Sequence, residues 1–371
     1  AQVVIRDCAS NPGFDSSVQK HHPAAIRTEG HTGVERKGII CGGSWLVDHN
    51  NVIEHWPEQE TLTEIVAREF EGGGPAHNMA LDLAHLAPGV PVWAAGVVGN
   101  DDAGRFLATA CAARGIDHSA LQIVDGIGTS HTDVMTVRAT GKRTFFHHQG
   151  ANARLTPDHF DFTRSAAKIL HLGAPGVHAL MDAPCGDDPS GWVNVLRRAR
   201  SAGIRTNLEM VSGSPEKIRN LVTPCLAHLD TLIINDYEAG LLTGIDVVSG
   251  GVTSAGAARR AAVALLVRGP LELVVIHFPG GCIAATRDGE VIAKPSLDVP
   301  SEAIVGANGA GDAFAAGVLY GIHEGWAIRD SLTLGLCAAA SALRSISTTA
   351  SVGSVAECLA LADQWGWRSP I

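Results

Sequence analysis

Strand and helix patterns alternate along most of this chain, and that alternation limits the folds it can adopt. Short apolar runs typical of buried strands occur at residues 37–48, 90–98, 166–173, 204–210, 229–235 and 271–278. Helical patterns lie between or after them, at residues 75–87, 101–115, 191–203, 236–244, 312–324 and 327–347. This alternation predicts an α/β fold, with a central, mainly parallel sheet and helices on both faces.

Two stretches interrupt the alternation, residues 50–71 and 131–149, and both have patterns typical of antiparallel β structure. The second predicts a hairpin with its turn at the sequence ATGK, residues 139–142. Together the two stretches could form a small sheet apart from the main one. Because ligands of α/β folds bind at the carboxyl ends of the strands, a small sheet inserted there would serve as a lid that excludes water.

Residues 1–35 are polar, rich in histidine, glycine and serine, and without periodicity. They predict an N-terminal extension outside the α/β domain, which would comprise residues 36–371. The N-terminus lacks the pattern of a signal peptide, and no apolar run is long enough to span a bilayer. The sequence therefore predicts a cytoplasmic protein without membrane contact.

Composition argues against a nucleic-acid partner. Apolar residues make up 46% of the 371 residues, enough for a large core, and the net charge of −10 would repel a phosphate backbone. The eight cysteines are scattered through apolar segments, and the 17 histidines show no metal-binding spacing. We therefore expect neither a disulfide framework nor a structural metal site.

The stretch IVGANGAGDAFAAGVLYGI, residues 304–322, contains a single charged side chain, Asp312. Its glycines allow backbone N–H groups to point to one side, and a helix that begins near Gly311 directs its free N–H groups to the same point. Asp312 could be an ordinary helix-capping residue. It could instead be a general base beside an anion hole, an arrangement that suits phosphoryl transfer to a hydroxyl group.

Three further clusters lie at strand or helix junctions. EGGGPAHN, residues 71–78, precedes a helix; GVVGNDDAGRF, residues 96–106, follows a strand; and NDYEAGLLTG, residues 235–244, joins a strand to a helix. Each alone is typical of turns and helix caps. In this order and spacing, together with GAGDAF at residues 309–314, they resemble the signatures of the ribokinase-like family, also called the PfkB carbohydrate kinases, over about residues 37–360.

The resemblance implies an ATP- and Mg²⁺-dependent kinase and assigns roles to individual residues. Asp312 would deprotonate the acceptor hydroxymethyl group. The anion hole would be formed by the amides of Gly309, Ala310 and Gly311. The acceptor pocket would contain Asp48, at the end of the first strand, with Gly73, Gly74, Asn78 and Asn152. The nucleotide would be bound by Asn235, Glu238, Gly280 and Gly281, with Glu238 holding Mg²⁺ through water.

Plainer interpretations remain for some of these residues. Asp48 could be an ordinary residue of a turn at a strand end, and Asn235 and Glu238 could form a helix cap, which is compatible with the nucleotide role.

Two departures from the family pattern concern the nucleotide side. Gly306 and Ala307 stand where the family usually has Asp and Thr, which in many members help to bind a monovalent cation. We therefore expect potassium activation to be weak or absent, or the cation site to be rebuilt from backbone carbonyls. In HFPGGC, residues 277–282, Pro279 and Cys282 replace two glycines of the pattern beside the nucleotide.

The predicted function is transfer of the γ-phosphoryl group of ATP to a hydroxymethyl group of a sugar or sugar-like alcohol. The alternatives are a nucleoside kinase of the same family and a degenerate member that binds a sugar or nucleotide as a sensor. The aromatic content of 5% favours a plain sugar over a nucleoside. A phosphorylated sugar would need basic residues on the lid, where Arg138, Lys142 and Arg143 are the candidates. The lid segments could also pair two copies as a homodimer.

Overall fold

Parallel strands form most of the central sheet in this computed structural model, which describes residues 36–211 and 213–371. The predicted N-terminal extension, residues 1–35, lies outside the described residues. The strands that the structure describes are β1 (Ile39–Gly43), β2 (Leu46–Ile53), β3 (Ile65–Gly73), β4 (Val92–Gly99), β5 (Asp117–Val124), β6 (Ser130–Val137), β7 (Arg143–His148), β8 (Ile169–Gly173), β9 (Arg205–Leu208), β10 (Thr231–Asn235), β11 (Val248–Ser249), β12 (Val252–Thr253), β13 (Leu273–Phe278), β14 (Gly281–Thr286) and β15 (Val291–Pro295).

Within the described residues, the central sheet has nine strands in the order β15-β14-β13-β10-β9-β8-β1-β4-β5. The strands from β13 to β5 are parallel, whereas β14 and β15 extend one edge in antiparallel fashion. Ile233 in β10 packs into the core on one face, and its neighbours Leu232 and Ile234 pack into the core on the other. The sheet is therefore buried on both faces, which confirms the predicted mainly parallel α/β fold.

Helices cover both faces of this sheet. Residues of α1, α8 and α9 belong to one core, and residues of α4, α6 and α7 belong to the other. No helix in the described part of the chain is long and apolar enough to cross a membrane. The helices are α1 (Pro75–Leu86), α2 (Asp102–Ala112), α3 (Ala179–Asp182), α4 (Gly191–Ser201), α5 (Pro215–Cys225), α6 (Asp236–Thr243), α7 (Ala255–Leu266), α8 (Ala310–Glu324), α9 (Ile328–Ala342) and α10 (Val355–Trp365).

The predicted first strand, residues 37–48, is two strands in two different sheets. β1 ends at Gly43, where φ is 115° and an added Cβ would lie 2.7 Å from the carbonyl carbon of Gly173. Glycine at this position lets the chain leave the central sheet and enter β2 a few residues later. Asp48 consequently lies within β2, and the prediction that it ends the first strand of the central sheet was wrong.

A separate four-stranded sheet, called the lid sheet below, has the order β3-β2-β6-β7. It contains half of the predicted lid segment 50–71 and most of the segment 131–149, and β6 and β7 form the predicted hairpin. The pairing of β2 with β6 is parallel, so the prediction of a purely antiparallel arrangement was wrong for that pair. The reason is that β2 and β6 are distant in sequence, so no tight turn has to join them.

Helix α9 ends earlier than the sequence predicts. α9 ends at Ala342, although the helical pattern extends to residue 347. The N–H groups of Val305 and Gly306 donate to the carbonyl oxygen of Leu343, at 2.8 and 3.2 Å. These bonds hold residues 343–348 against the glycine-rich loop before α8, and tertiary contact therefore overrides helix propensity here.

Candidate active site

Two cavities meet at the N-terminus of α8. One has a volume of about 610 Å³ and mostly apolar walls; the other, of about 460 Å³, lies beneath the lid sheet. Asn235, His277 and Gly311 line both cavities and form their shared boundary. The apolar walls of the first cavity include Leu297, Val299, Ile304, Phe314, Leu336 and Leu343. The lid sheet contributes Leu46, Asp48, Thr132, Val134, Phe145 and His147 to the second.

The loop before α8 has its shape because residues after α9 press against it. Gly309, the N-cap residue of α8, has a φ of 72°. A Cβ added at Gly309 would lie 2.8 Å from two backbone carbons of Thr348 and closer still to its carbonyl oxygen, so only glycine fits. The backbone N–H groups of Gly309, Ala310 and Gly311 find no hydrogen-bond partner within the described residues. They are available to an anion, as the predicted anion hole requires.

Asp312, the third residue of α8, lines the cavity beneath the lid sheet. Its Oδ2 accepts a 2.7 Å hydrogen bond from Nδ2 of Asn78, and Glu209 lines the same cavity. Burial, followed by the charge of Glu209, raises the pKa of Asp312 well above the usual range. The side chain does not cap its own helix, so Asp312 is directed toward the cavity and its neighbours instead.

Asp48 faces the same cavity from the lid sheet. A Cβ at Gly73 would lie 2.8 Å from Cγ of Asp48, so glycine leaves room for the carboxyl group, and Gly74 lines the cavity beside it with a φ of 92°. Burial, and next the charge of Glu71 on β3, raises the pKa of Asp48 to about 7, while a hydrogen bond from Thr132 opposes the increase. This wall of the cavity offers acceptor groups to hydroxyls.

Asn235 and Glu238 form a capping box at the start of α6. Oδ1 of Asn235 accepts from the N–H of Glu238 at 2.9 Å, and Oε2 of Glu238 accepts from the N–H of Asn235 at 3.0 Å. Both residues also line the cavity beneath the lid sheet. Burial raises the pKa of Glu238 to about 7, although both bonds to Asn235 oppose this. Asn235 and Glu238 therefore cap α6 and also line the cavity.

Asn235 and Glu238 are suitable for a Mg²⁺ ion that retains several of its water ligands. Glu238 is a buried carboxyl group whose pKa is raised further by the charges of Asp312 and Asp236, so a cation nearby would relieve repulsion. Within the described residues, no group of three or more His, Cys, Asp or Glu side chains could hold a metal directly. Glu238 could hold Mg²⁺ together with water and phosphate oxygens, which is the usual manner in which this ion binds.

Comparison with known proteins agrees with this arrangement. Residues 37–354 match the sequence model of the pfkB family carbohydrate kinases. The chain belongs to the pfkB family. Its curated relatives have the names of sugar kinases, and the chain is accordingly a carbohydrate kinase of this family.

Two curated relatives of this pfkB kinase carry different sugar names. The 5-dehydro-2-deoxygluconokinase of Shouchella clausii is 25% identical over 336 residues, covering 88% of this chain and 95% of that protein. Fructokinase-1 of Zea mays is 28% identical over 296 residues, covering 77% of this chain and 83% of that protein. The relatives support the reaction class but name different acceptors.

Solved structures with the same fold align with most of this chain. Arabidopsis thaliana ribokinase, complexed with ribose and ATP, has a TM-score of 0.70 and 20% identity, covering 88% of this chain and 98% of that one. The nucleoside kinase of Burkholderia thailandensis, in complex with inosine, has a TM-score of 0.67 and 20% identity, covering 90% and 98%. At these identities the likeness shows the ribokinase-like fold.

Three residues predicted to bind ligands, Gly73, Asn152 and Gly280, line neither cavity of this pfkB kinase. Asn152 is fully buried, and its side-chain amide has no hydrogen-bond partner within the described residues. Gly280 lies in the turn between β13 and β14, where its neighbours Pro279 and Gly281 line the apolar cavity.

Sequence reasoning did not identify several residues at the pfkB site. Glu209 lies at the carboxyl end of β9, and its position after a strand was the available signal. His147 lines the same cavity from β7. Arg143 was considered only as a candidate contact to a phosphorylated sugar; its guanidinium donates to Oδ1 of Asn308 in the glycine-rich loop, a partner far away in sequence.

Proposed function

We propose that this chain is an ATP-dependent kinase that phosphorylates a hydroxymethyl group of an uncharged sugar or sugar-like alcohol. The observation that carries the proposal is the pair of cavities that share a boundary at Gly311, with Asp312 beside it. The apolar cavity suits the adenine of a nucleotide, and the cavity rich in carboxyl groups suits several hydroxyls. The nucleotide phosphates would then reach the free amides of residues 309–311.

The chemistry follows from the positions of these groups. Asp312 would accept the proton of the acceptor hydroxyl as that oxygen attacks the γ-phosphorus. The amides of Gly309, Ala310 and Gly311 would stabilise the charge that develops on the transferred phosphoryl group. Mg²⁺, when bound near Glu238, would neutralise charge on the nucleotide phosphates. The hydrogen bond from Asn78 would direct Asp312 toward the acceptor.

The charge of the acceptor cavity supports an uncharged acceptor. Asp48, Glu209, Glu238 and Asp312 line it, and within the described residues no Lys or Arg side chain does. A negative group held about 4 Å from one ionised carboxylate costs roughly 4 kcal/mol at an effective dielectric constant of ~20. A sugar acid or a phosphorylated sugar would meet this cost at each of these carboxyl groups that is ionised. We therefore propose that the chain does not share the sugar acid named in 5-dehydro-2-deoxygluconokinase.

An acceptor panel tests the proposal. ATP consumption is measured with neutral pentoses, hexoses and polyols, with sugar acids, with phosphorylated sugars and with nucleosides. We expect turnover with at least one neutral sugar or polyol and none with the acidic compounds. The Asp312→Asn variant should lose about 10²–10⁴ of the rate and still bind the acceptor, because only the general base is removed.

Each other outcome has a distinct meaning. Preferential turnover of a sugar acid would refute the charge argument, and preferential turnover of a nucleoside would assign the acceptor cavity to a base and its sugar. Ligands that raise the melting temperature without any turnover would favour a sensor.

A further inference from the structure

A row of three polar side chains crosses the lid sheet on the side of the acceptor cavity. Asp48 on β2 pairs with Thr132 on β6, and Thr132 pairs with His147 on β7. Directly paired residues of neighbouring strands direct their side chains to the same face of a sheet. All three residues line the cavity beneath the lid sheet. They are called the polar row below.

Thr132 holds the ring of His147 by one of its two nitrogens. Nδ1 of His147 lies 3.2 Å from Oγ1 of Thr132, within hydrogen-bond distance. The other nitrogen, Nε2, has no hydrogen-bond partner within the described residues. Because the side chain of His147 lines the cavity, this nitrogen is available to a molecule bound there.

The chemistry of this ring suits a hydroxyl group. Burial, followed by the charges of His131 and His148, lowers the pKa of His147, so the ring is neutral near pH 7. Nε2 of a neutral imidazole is either a donor or an acceptor, depending on the tautomer. A sugar hydroxyl both donates and accepts, so it matches either tautomer, whereas the oxygens of a carboxylate or a phosphate only accept.

Apolar side chains of the lid sheet flank the polar row. Val134 on β6 pairs with Phe145 on β7, and both line the cavity two residues away from the polar row along their strands. Leu46, two residues from it on β2, lines the cavity as well. Pockets for small molecules commonly combine apolar walls with a few polar groups that fix the orientation of the ligand. The lid sheet therefore offers apolar surface to the carbon atoms of a sugar and the polar row to its hydroxyls.

We propose that His147 is a specificity-determining residue, whose Nε2 forms a hydrogen bond with one hydroxyl of a neutral sugar, other than the hydroxyl that receives the phosphoryl group. The proposal rests on the proposed kinase function, although the binding contact itself needs no nucleotide. Asp312 lines the cavity from α8 and His147 lines it from the lid sheet, so a sugar between them directs different hydroxyls to the two residues. Thr132 orients the ring of His147 for this contact.

The binding test compares two substitutions that keep different parts of the ring. The amide of asparagine matches the position of Nδ1 of histidine, and the amide of glutamine matches that of Nε2. D-Ribose, D-fructose and the monodeoxy analogues of each are titrated calorimetrically into the full chain without nucleotide. For the parent sugar that the wild type binds more tightly, His147→Asn should weaken binding about 3- to 10-fold, the loss of one hydrogen bond between uncharged groups, and His147→Gln should stay within about twofold.

The deoxy analogues identify the hydroxyl that His147 contacts. One analogue should bind to the wild type about 3- to 10-fold more weakly than the parent sugar and should bind to His147→Asn as well as the parent does, because the same hydrogen bond is already lost. Equal affinity of the wild type and His147→Asn for the parent sugar would overturn the proposal. A loss in His147→Asn that is the same for every analogue, or a wild type that binds neither parent sugar, would overturn it as well.

The next residue of the same strand supplies a matched control. His148 lies on the opposite face of the lid sheet, where its ring stacks on that of His131 with the centroids 5.0 Å apart, and it lines neither cavity. His148→Asn should leave the affinity for the sugar unchanged, and a loss equal to that of His147→Asn would overturn the proposal.

Phosphorylation by ATP is measured separately with the same variants. A sugar that is bound as expected but never phosphorylated overturns the proposed kinase function while the contact with His147 stands. A sugar that is phosphorylated with the same KM by the wild type and His147→Asn overturns the contact while the kinase function stands.

Discussion

The anion hole can be tested by adding one methyl group at Gly309. A Cβ there would lie 2.8 Å from two backbone carbons of Thr348, whereas ordinary contacts begin near 3.4 Å, so the loop or residues 343–348 must move by about 0.6 Å or more. Positive φ adds about 1–2 kcal/mol of backbone strain for alanine. Loss of one anion-hole donor lowers kcat about 10²- to 10³-fold. We therefore expect Gly309→Ala to lose at least about 100-fold in kcat.

The same helix supplies a control for this substitution. Gly325, the C-cap residue of α8, has a φ of 75° and no heavy atom within 4 Å of an added Cβ. Gly325→Ala therefore carries similar backbone strain without the collision and far from the anion hole. It should lower the free energy of unfolding, measured in urea, by about 1–2 kcal/mol and leave kcat unchanged.

The comparison separates two explanations of a loss of activity. If Gly309→Ala loses stability to the same extent as Gly325→Ala and keeps its kcat, the amides of residues 309–311 do not act in the transition state. If both variants lose activity in proportion to their stability, general destabilisation is responsible. Only a selective loss of kcat in Gly309→Ala supports the anion hole.

Four further predictions concern the acceptor, the cation, the assembly and pH. Asp48→Asn should raise the acceptor KM about tenfold or more with the ATP KM unchanged, because hydrogen bonds to a charged group are lost; an equal rise in both KM values would contradict this role. Rates in potassium and in tetramethylammonium should be the same, because Gly306 offers no side-chain oxygen; strong potassium dependence would refute the expectation. The chain should sediment as a dimer. Phe146 is a half-exposed side chain of the lid sheet, and Phe146→Asp should convert the dimer to a monomer; a wild-type monomer would exclude the lid dimer. Burial raises the folded-state pKa of Asp48, Glu209 and Glu238 to about 7. The folded protein therefore binds more protons than the unfolded chain between the ordinary carboxyl pKa of about 4 and about 7, and the free energy of unfolding without ligand should fall as pH rises through that range. Urea unfolding that becomes more difficult between these pH values would contradict the assignment.

Much of the fold could be predicted because its signals are local. Each of these signals lies within a few consecutive residues, as in the apolar runs of β10 and β13 and the glycine at the end of α6. The candidate site was accessible for the same reason, since Asn78, Asn235 and Asp312 lie at strand or helix junctions. Parallel sheets bring such junctions to one edge, so junction residues separated widely in sequence meet there.

The remaining features depend on contacts that no local pattern contains. The division of residues 37–48 into two sheets depends on the approach of Gly43 to Gly173. The early end of α9 depends on hydrogen bonds from Val305 and Gly306 to the residues that follow it. Glu209 becomes significant only once the fold places it in the wall of the same cavity as Asp312. Each of these features joins segments that are far apart in the chain.

The missing acid at position 306 and the glycine at position 309 have one structural explanation. A Cβ at Gly306 would lie 2.7 Å from the carbonyl oxygen of Ser345, and one at Gly309 would collide with Thr348, so the segment after α9 occupies the space that side chains would need. Backbone packing can therefore hold this loop in place without a bound cation. The N–H of Thr348 also donates to Oε2 of Glu71 at the end of β3, at 3.2 Å. Because the same segment touches both the anion-hole loop and the lid sheet, a movement of the lid that breaks the bond to Glu71 would remove one of the contacts that hold the segment shaping the anion hole.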